Sequence, residues 1–360
     1  MKKKEKVTKT TKKIKKDNKK QSKKLLYLTV FFATCDVLAI ICFIIMYGPW
    51  NYVRNLYITT ATSTMTHQYL AKVFYDDETI EQIKNSNYFV TINESTNIND
   101  ITIDTTEKVT YKDKYEEELL TRENEDDLYK VINLKVGNSN AHLVAIYEPE
   151  KVELIHTKKF NVGGYGERVI TMCQRYEGIV CINGGGFIDN GMGSDIPTGY
   201  VIKNHEIIWL PKNQDPNTYR DNIIGITDDG ILKLMSNATG TEAINAGVKD
   251  GMVFGPFLIV NGTPLEIVGD PWGKSPRVAI AQRKDGVMMF LAIDGKNYID
   301  GATLQDVIDV LTLYGAYNAA NLDGGQSSTL VVENKLENNP PAEAKTTNGR
   351  YVVTGWGLIP

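Results

Sequence analysis

Histidine and cysteine are both scarce in this chain, which has four of each in 360 residues. His67, His142, His156 and His205 are scattered, and no C-x-x-C or H-x-x-x-H spacing occurs. That argues against the common zinc sites, whose ligands fall at short, fixed spacings. Neither G-x-x-x-x-G-K-[ST] nor G-x-G-x-x-G is present, so no nucleotide cradle is indicated. Basic excess is missing beyond residue 24. Residues 1–24 hold thirteen Lys against Glu5 and Asp17, a local charge of +11, and the remainder carries −15. So acidic a body is a poor partner for nucleic acid. No internal repeat stands out.

One long apolar run is present. Residues 25–47 form a 23-residue stretch with a single charge, Asp36. At about 1.5 Å per residue, a helix of that length spans a hydrocarbon core of about 30 Å. Tyr47, Trp50 and Tyr52 suit an interfacial exit, and no A-x-A-like site follows. The run reads as a single-pass span in the cell membrane, with the Lys-rich N-terminus cytoplasmic and the body extracellular. An uncleaved signal peptide is the other reading. Asp36 reads as a tolerated or partner-paired acid, because no second span supplies an ion path.

The expected organisation is a cytoplasmic tail over 1–24, a transmembrane helix over 25–47, an extracellular stalk over 48–125 and one domain over 126–360. The stalk assignment rests on hydroxyl-rich, Asn/Thr-rich and charge-run segments, which usually mean solvated linker, with residues 69–84 able to form a helix within it. The domain alternates short strands with turn signals. Hairpins are expected at Asn204-His205, Asp228-Asp229-Gly230 and Lys284-Asp285-Gly286. Helices are expected over 166–178 and 303–315, the second ending near Gly315. The pattern predicts an α+β fold, a mixed β-sheet domain with few helices. Cys173 and Cys181 fall at apolar-facing positions of a predicted helix and strand. An extracellular body permits a disulfide, but two buried free thiols are the expectation here.

Three stretches deliver a polar group from a strand into a glycine bend. They are Asn183-Gly184-Gly185-Gly186-Phe187 followed by Asp189, Asp294-Gly295, and Asn321-Leu322-Asp323-Gly324-Gly325-Gln326-Ser327-Ser328. Glycine lets a backbone approach a ligand and leaves N–H groups uncovered. The bland alternative is tight turns with Asp as turn former. Arg277 heads an apolar strand and suits a phosphate or carboxylate, or an internal acid.

These residues carry a resemblance. "INGGGF", "GYVIKN", "GPFLIVNG", "PRVAIA", "AIDG", "LTLYGAYNAANLDGGQSSTLVV" and "GRYVVTGWGLI" stand in the order seen in the phosphodiester glycosidase family, over roughly residues 126–360. That family includes an N-acetylglucosamine-1-phosphodiester α-N-acetylglucosaminidase and bacterial exopolysaccharide-associated proteins. The resemblance implies hydrolysis of a sugar-1-phosphate diester at its glycosidic bond, giving free sugar and a phosphomonoester. Asp323 is then the expected nucleophile or base, with Asp294 and Asp189 as second-carboxylate candidates. Arg277 is expected to hold phosphate. Asn183, Gly184, Gly185, Asn321, Gly324, Gly325, Gln326, Ser327 and Ser328 are expected to bind substrate. Gln326 departs from the family, which usually has a third glycine there, and His205 departs at a peripheral turn.

The expected partners are a carbohydrate phosphodiester and the membrane. Ca²⁺ held among these acids is the one cofactor left open, and no EF-hand-like spacing supports it. A non-catalytic exopolysaccharide- or wall-polymer-binding protein that keeps the same pocket is the competing class. A purely structural surface protein is the third.

Overall fold

A computed structural model describes residues 2–63, 68–104, 106, 110–189, 194–295, 300–341 and 348–360, with the backbone alone over 2–22 and at 63. A seven-stranded sheet runs in the order Thr263–Pro264, Phe257–Val260, Ala316–Leu322, Arg277–Arg283, Met288–Ile293, Ser139–Ile146, Tyr129–Val136. A five-stranded sheet runs Lys335–Leu336, Leu330–Val332, Val180–Asn183, Thr354–Leu358, Val152–His156. A second five-stranded sheet contains the hairpins Val201–Lys203/Glu206–Trp209 and Arg220–Thr227/Leu232–Thr239, with Val248–Val253 between them.

The α+β class holds, but among the described residues every strand pair in these three sheets is antiparallel rather than mixed. The expected hairpin turns form and make their own pairs antiparallel, and the long-range pairs follow the same direction. At the first hairpin Asn204 and His205 take φ of 51° and 63°, as a type I′ turn requires.

Strand alternation sets the layers. Along Arg277–Arg283, Val278 and Ile280 enter one core while Ala279 and Ala281 enter another. The first core fills the space between the seven-stranded sheet and both five-stranded sheets, with Ile182, Leu330, Trp356, Ile224 and Met252 opposite. The second lies against the Leu304–Leu313 helix through Leu304, Val307, Ile308 and Leu311. That helix starts on a capping box, Thr303 with Asp306, and Gly315 follows its end at φ 80°.

The two body cysteines are both fully buried, as their apolar positions imply, but they are bridged, not free. Cys173 lies on the Val169–Arg175 helix and Cys181 on the following strand. The turn between them brings their Cα atoms to 5.8 Å, within bridging range.

The N-terminal third also departs from expectation. α1 (Lys2–Tyr47) contains Lys23–Tyr47, which is long and apolar enough to cross a membrane. α2 (Asn51–Ser63), α3 (Tyr69–Phe74) and α4 (Asp77–Asn85) then pack around Ile58, Ala71, Ile80 and Ile83. Beyond them the polar segment docks on the body instead of remaining a solvated linker. Tyr88–Val90 pairs with Glu266–Val268. The amides of Thr96, Thr102 and Asp104 donate to the carbonyls of Leu234, Lys284 and Asp285 at 2.9–3.0 Å. Leu119 and Leu120 enter the second core, and Glu116 pairs with Arg283 at 2.7 Å. Backbone hydrogen bonds and two leucines hold what composition alone reads as linker.

Candidate functional site

Two sheets deliver their strand ends to one place. The Val180–Asn183 strand runs into Gly184 and Gly185, and the Ala316–Leu322 strand runs into Asp323. Asp323 is pinned from the neighbouring sheet. Its N–H donates to Gly184 O at 2.9 Å, and its carbonyl accepts from Asn183 Nδ2 at 2.6 Å. Asn183 Oδ1 in turn accepts from Thr329 N–H at 2.9 Å. Gly184 N–H donates to Thr354 O, and Gly185 N–H to Thr354 Oγ1 at 3.1 Å.

The glycines are needed for close approach. A Cβ on Gly324 would stand 2.7 Å from Pro276 O, and one on Gly185 would stand 2.9 Å from Val253 O. Gly325 takes φ 59° in the short 3₁₀ turn Gly325–Ser327, and its N–H donates to Pro276 O at 2.9 Å.

The Asp323 carboxyl is pushed up to about 6. Loss of hydration is the largest influence. Although the residue keeps some exposed surface, its carboxyl is densely surrounded by protein. A hydrogen bond from Ser327 and the charge of Arg350 pull it back down, while Asp189 pushes it further up. Arg350 Nη2 donates to Asp189 Oδ2 at 2.9 Å, and its guanidinium lies 5.0 Å from the centre of the Phe187 ring. Asp323, Asp189, Arg350 and Ser327 thus form one electrostatic unit. Asn321 Oδ1, Ser328 Oγ and Thr329 Oγ1, close by in the chain, are buried without a hydrogen-bond partner. Buried polar atoms of this kind call for a water or a ligand group.

Of the expected carboxylates, Asp189 acts directly on Asp323, and Asp294 is held by other groups. Asp294 Oδ1 accepts from Asn339 N–H at 2.7 Å, and its Oδ2 lies 3.9 Å from His142 Nε2. Through Asn338, which accepts from Leu330 N–H and donates to Ser328 O, this loop braces the segment after Asp323.

Arg277 also differs from expectation. Its Nε donates to Ala302 O at 3.0 Å and its Nη2 to Trp272 O and Gly273 O at 3.3 and 2.6 Å. Through Nε and Nη2, Arg277 braces the loops at Trp272, Gly273 and Ala302. Burial pulls its guanidinium down to about 10, against the pull of Asp270 and Asp306, and it stays charged at neutral pH. Asn183 is likewise a positioning residue, with both amide atoms committed to backbone. Gln326 sits half-buried in the Gly325–Ser327 turn.

Arg350 is the residue that sequence reading passed over. Its signal was available: "GRYVVTGWGLI" places a cation at the head of a strand, as at Arg277. Among the described residues no cluster of three or more His, Cys, Asp or Glu could hold a metal ion.

The family model for phosphodiester glycosidase matches residues 176–359. The SPβ prophage-derived uncharacterized protein YomE of Bacillus subtilis (strain 168) is 30% identical over 182 residues, 48% of this chain and 27% of YomE. The chain therefore spans about a quarter of that relative's length. The fold is similar to the zebrafish N-acetylglucosamine-1-phosphodiester α-N-acetylglucosaminidase catalytic domain, auto-inhibited by its pro-peptide. That match has a TM-score of 0.51 at 19% identity and covers 64% of this chain and 82% of that one. A hypothetical protein from Synechocystis matches at TM-score 0.44 and 18% identity, over 64% of this chain and 61% of its own.

Proposed function

The chain belongs to the phosphodiester glycosidase family, and on that premise we propose that it hydrolyses the glycosidic bond of a sugar-1-phosphate diester. The substrate is a GlcNAc-1-phosphodiester-like unit of a surface or wall glycopolymer. The enzyme is held at the outer face of the cell membrane by the Lys23–Tyr47 helix, with its N-terminus cytoplasmic. Family membership supports a hydrolytic role, and the observation that carries the finer reading is Asp323, raised to about 6 beside Arg350 and Asp189.

A carboxyl titrating near 6 is suited to proton transfer close to neutral pH. Deprotonated Asp323 takes a proton from a water as the water oxygen bonds to the anomeric carbon. The bond from that carbon to the phosphate oxygen breaks, and its electron pair leaves with the phosphate. The products are free sugar and a phosphomonoester. Phosphate leaves readily, so the main demand is to stabilise its growing charge and the oxocarbenium-like centre. Arg350 supplies the cation for the first, and the two carboxylates suit the second. Asp189 holds Arg350 in place. The unpartnered oxygens of Asn321, Ser328 and Thr329 suit sugar hydroxyls.

The test is release of free sugar from a GlcNAc-1-phosphodiester by the full chain. Asp323→Asn is expected to lower kcat by about 10³-fold or more while the protein stays folded, as for loss of a base or nucleophile. Binding of the diester by the wild type with no turnover would replace catalysis with the polymer-binding role.

A further inference from the structure

The C-terminal end of α1 carries a feature that the hydrolytic reading leaves unused. A cavity of about 210 Å³ is lined there by Tyr47 of α1, Arg54 of α2, Phe74 of α3, Tyr75, and Asp76 and Thr79 at the start of α4. Two hydroxyls fix its walls: Tyr47 Oη donates to Phe74 O, and Tyr75 Oη donates to Met46 O, each at 2.5 Å. The end of the apolar helix and the small helical bundle are thereby held in one arrangement.

Arg54, which lines this cavity, keeps its Nε buried without a hydrogen-bond partner, and among the described residues its guanidinium forms no ion pair. The nearby exposed cation Lys72 is already paired with Asp77 at 2.7 Å. Asp76 accepts from Thr79 N–H at 2.7 Å and so caps α4, yet it makes no ion pair with Arg54. A cation and an anion therefore line one cavity without neutralising each other. A buried guanidinium donor left unpaired is costly, and phosphate oxygens match its fork. A carboxylate beside the aromatic rings of Tyr47, Phe74 and Tyr75 suits an ammonium group. The place decides the source: a helix of membrane-spanning length ends at this cavity, at the depth where head groups lie.

We propose that this cavity binds the head group of an aminophospholipid, with the phosphodiester on Arg54 and the ammonium beside Asp76. The site would fix the height and orientation of the body above the bilayer. It rests on the reading of Lys23–Tyr47 as a span, not on the hydrolytic chemistry.

The experiment uses the full chain in detergent. It is titrated with short-chain phosphatidylethanolamine, phosphatidylglycerol, a phosphate-free glucosyl diacylglycerol, and glycerophosphoethanolamine without acyl chains. The wild type is expected to bind phosphatidylethanolamine most tightly. Arg54→Gln should weaken that binding at least ten-fold. Asp76→Asn still caps α4, and it should weaken phosphatidylethanolamine selectively while leaving phosphatidylglycerol unchanged. Unchanged phosphatidylethanolamine binding by Arg54→Gln, or equal binding of the phosphate-free lipid, overturns the site. Equal binding of phosphatidylglycerol overturns the ammonium assignment, and equal binding of the acyl-free head group overturns the lipid source. Alkaline carbonate separates this failure from that of the span. A chain washed off cell membranes overturns both, whereas a retained chain with unaffected Arg54→Gln overturns the lipid site alone.

Discussion

Asp323 holds its proton up to a pH of about 6, and its neighbours set that value. Two substitutions should move it in opposite directions. Asp189→Asn removes a negative charge and releases Arg350 toward Asp323, so the acid limb of kcat/KM should shift to lower pH. Arg350→Gln removes the opposing cation, so the limb should shift to higher pH. Its rate at neutral pH should also fall about 10²-fold or more through lost phosphate stabilisation. Overlaid pH–rate profiles of the three proteins check both signs, and limbs that coincide would remove Asp323 as the titrating group.

The same shift affects stability. The folded protein holds this proton more tightly than the unfolded chain, so the wild type loses stability as pH rises from about 4 through about 6. Asp323→Asn does not titrate, and above pH 6 it is expected to be more stable than the wild type, by up to on the order of 3 kcal/mol. That gain should disappear below about pH 4. Melting temperatures across pH 3.5–8 would show it. Arg277 offers a contrast. Its donors serve Trp272, Gly273 and Ala302, so Arg277→Gln should lower the melting temperature and leave KM for the diester nearly unchanged.

At the scale of elements, the site depends on how the Val180–Asn183 strand is held. The Val169–Arg175 helix is bridged to it through Cys173–Cys181, a sequence separation of eight, two residues before Asn183. Gly178 makes the turn, since a Cβ there would stand 2.7 Å from Cys181 Sγ. Closing so short a loop restricts the unfolded chain only modestly, so Cys173→Ser with Cys181→Ser should cost about 2–3 kcal/mol. Denaturant midpoints of the oxidised protein and the double variant measure this. A bridge that merely staples the strand should leave the acid limb of kcat/KM where it was. A second element-scale expectation concerns the bend after Asp323. Gly324→Ala places a methyl against Pro276 O, a backbone atom that cannot swing aside, so activity should be lost together with several degrees of melting temperature. Gly325→Ala meets open space but must hold φ 59°, and should cost about 1 kcal/mol.

At the scale of the whole molecule, residues 88–104 and 114–120 belong to the body. They supply a strand, backbone hydrogen bonds at its edges, and Leu119 and Leu120 to the core. Each leucine buried is worth about 1.5–3 kcal/mol. A chain trimmed to begin at 126 should therefore be less stable than one beginning at 87 by on the order of 3–6 kcal/mol. Urea unfolding of the two trimmed forms decides it, and equal midpoints would return the segment to the status of linker. The docking has a functional consequence. With α2, α3 and α4 packed at the end of α1 and the next segment paired into the body, the path from the apolar helix to Asp323 is structured along most of its length.

The sequence by itself determined the apolar helix, the hairpins with their Asn-His and Asp-Gly turns, the helix ending near Gly315, and the strand that runs into Asp323 and its glycines. Those features are written in local chemistry: apolar run length, turn residues that tolerate positive φ, capping pairs, and a carboxylate set between strand and glycines. What only the tertiary structure decided depends on residues far apart in the chain. Asp189 was separated from Asp294 by an ion pair to Arg350, 161 positions away. Asn183 and Arg277 carried the right chemistry for a ligand, but loop backbone groups bond to them: Asp323 and Thr329 to the Asn183 amide, and Trp272, Gly273 and Ala302 to Arg277 Nε and Nη2. The two cysteines were correctly read as buried, yet burial says nothing of the 5.8 Å between their Cα atoms. The polar segment before residue 126 looked solvated because its hold on the body comes mostly from main-chain hydrogen bonds, which composition does not encode.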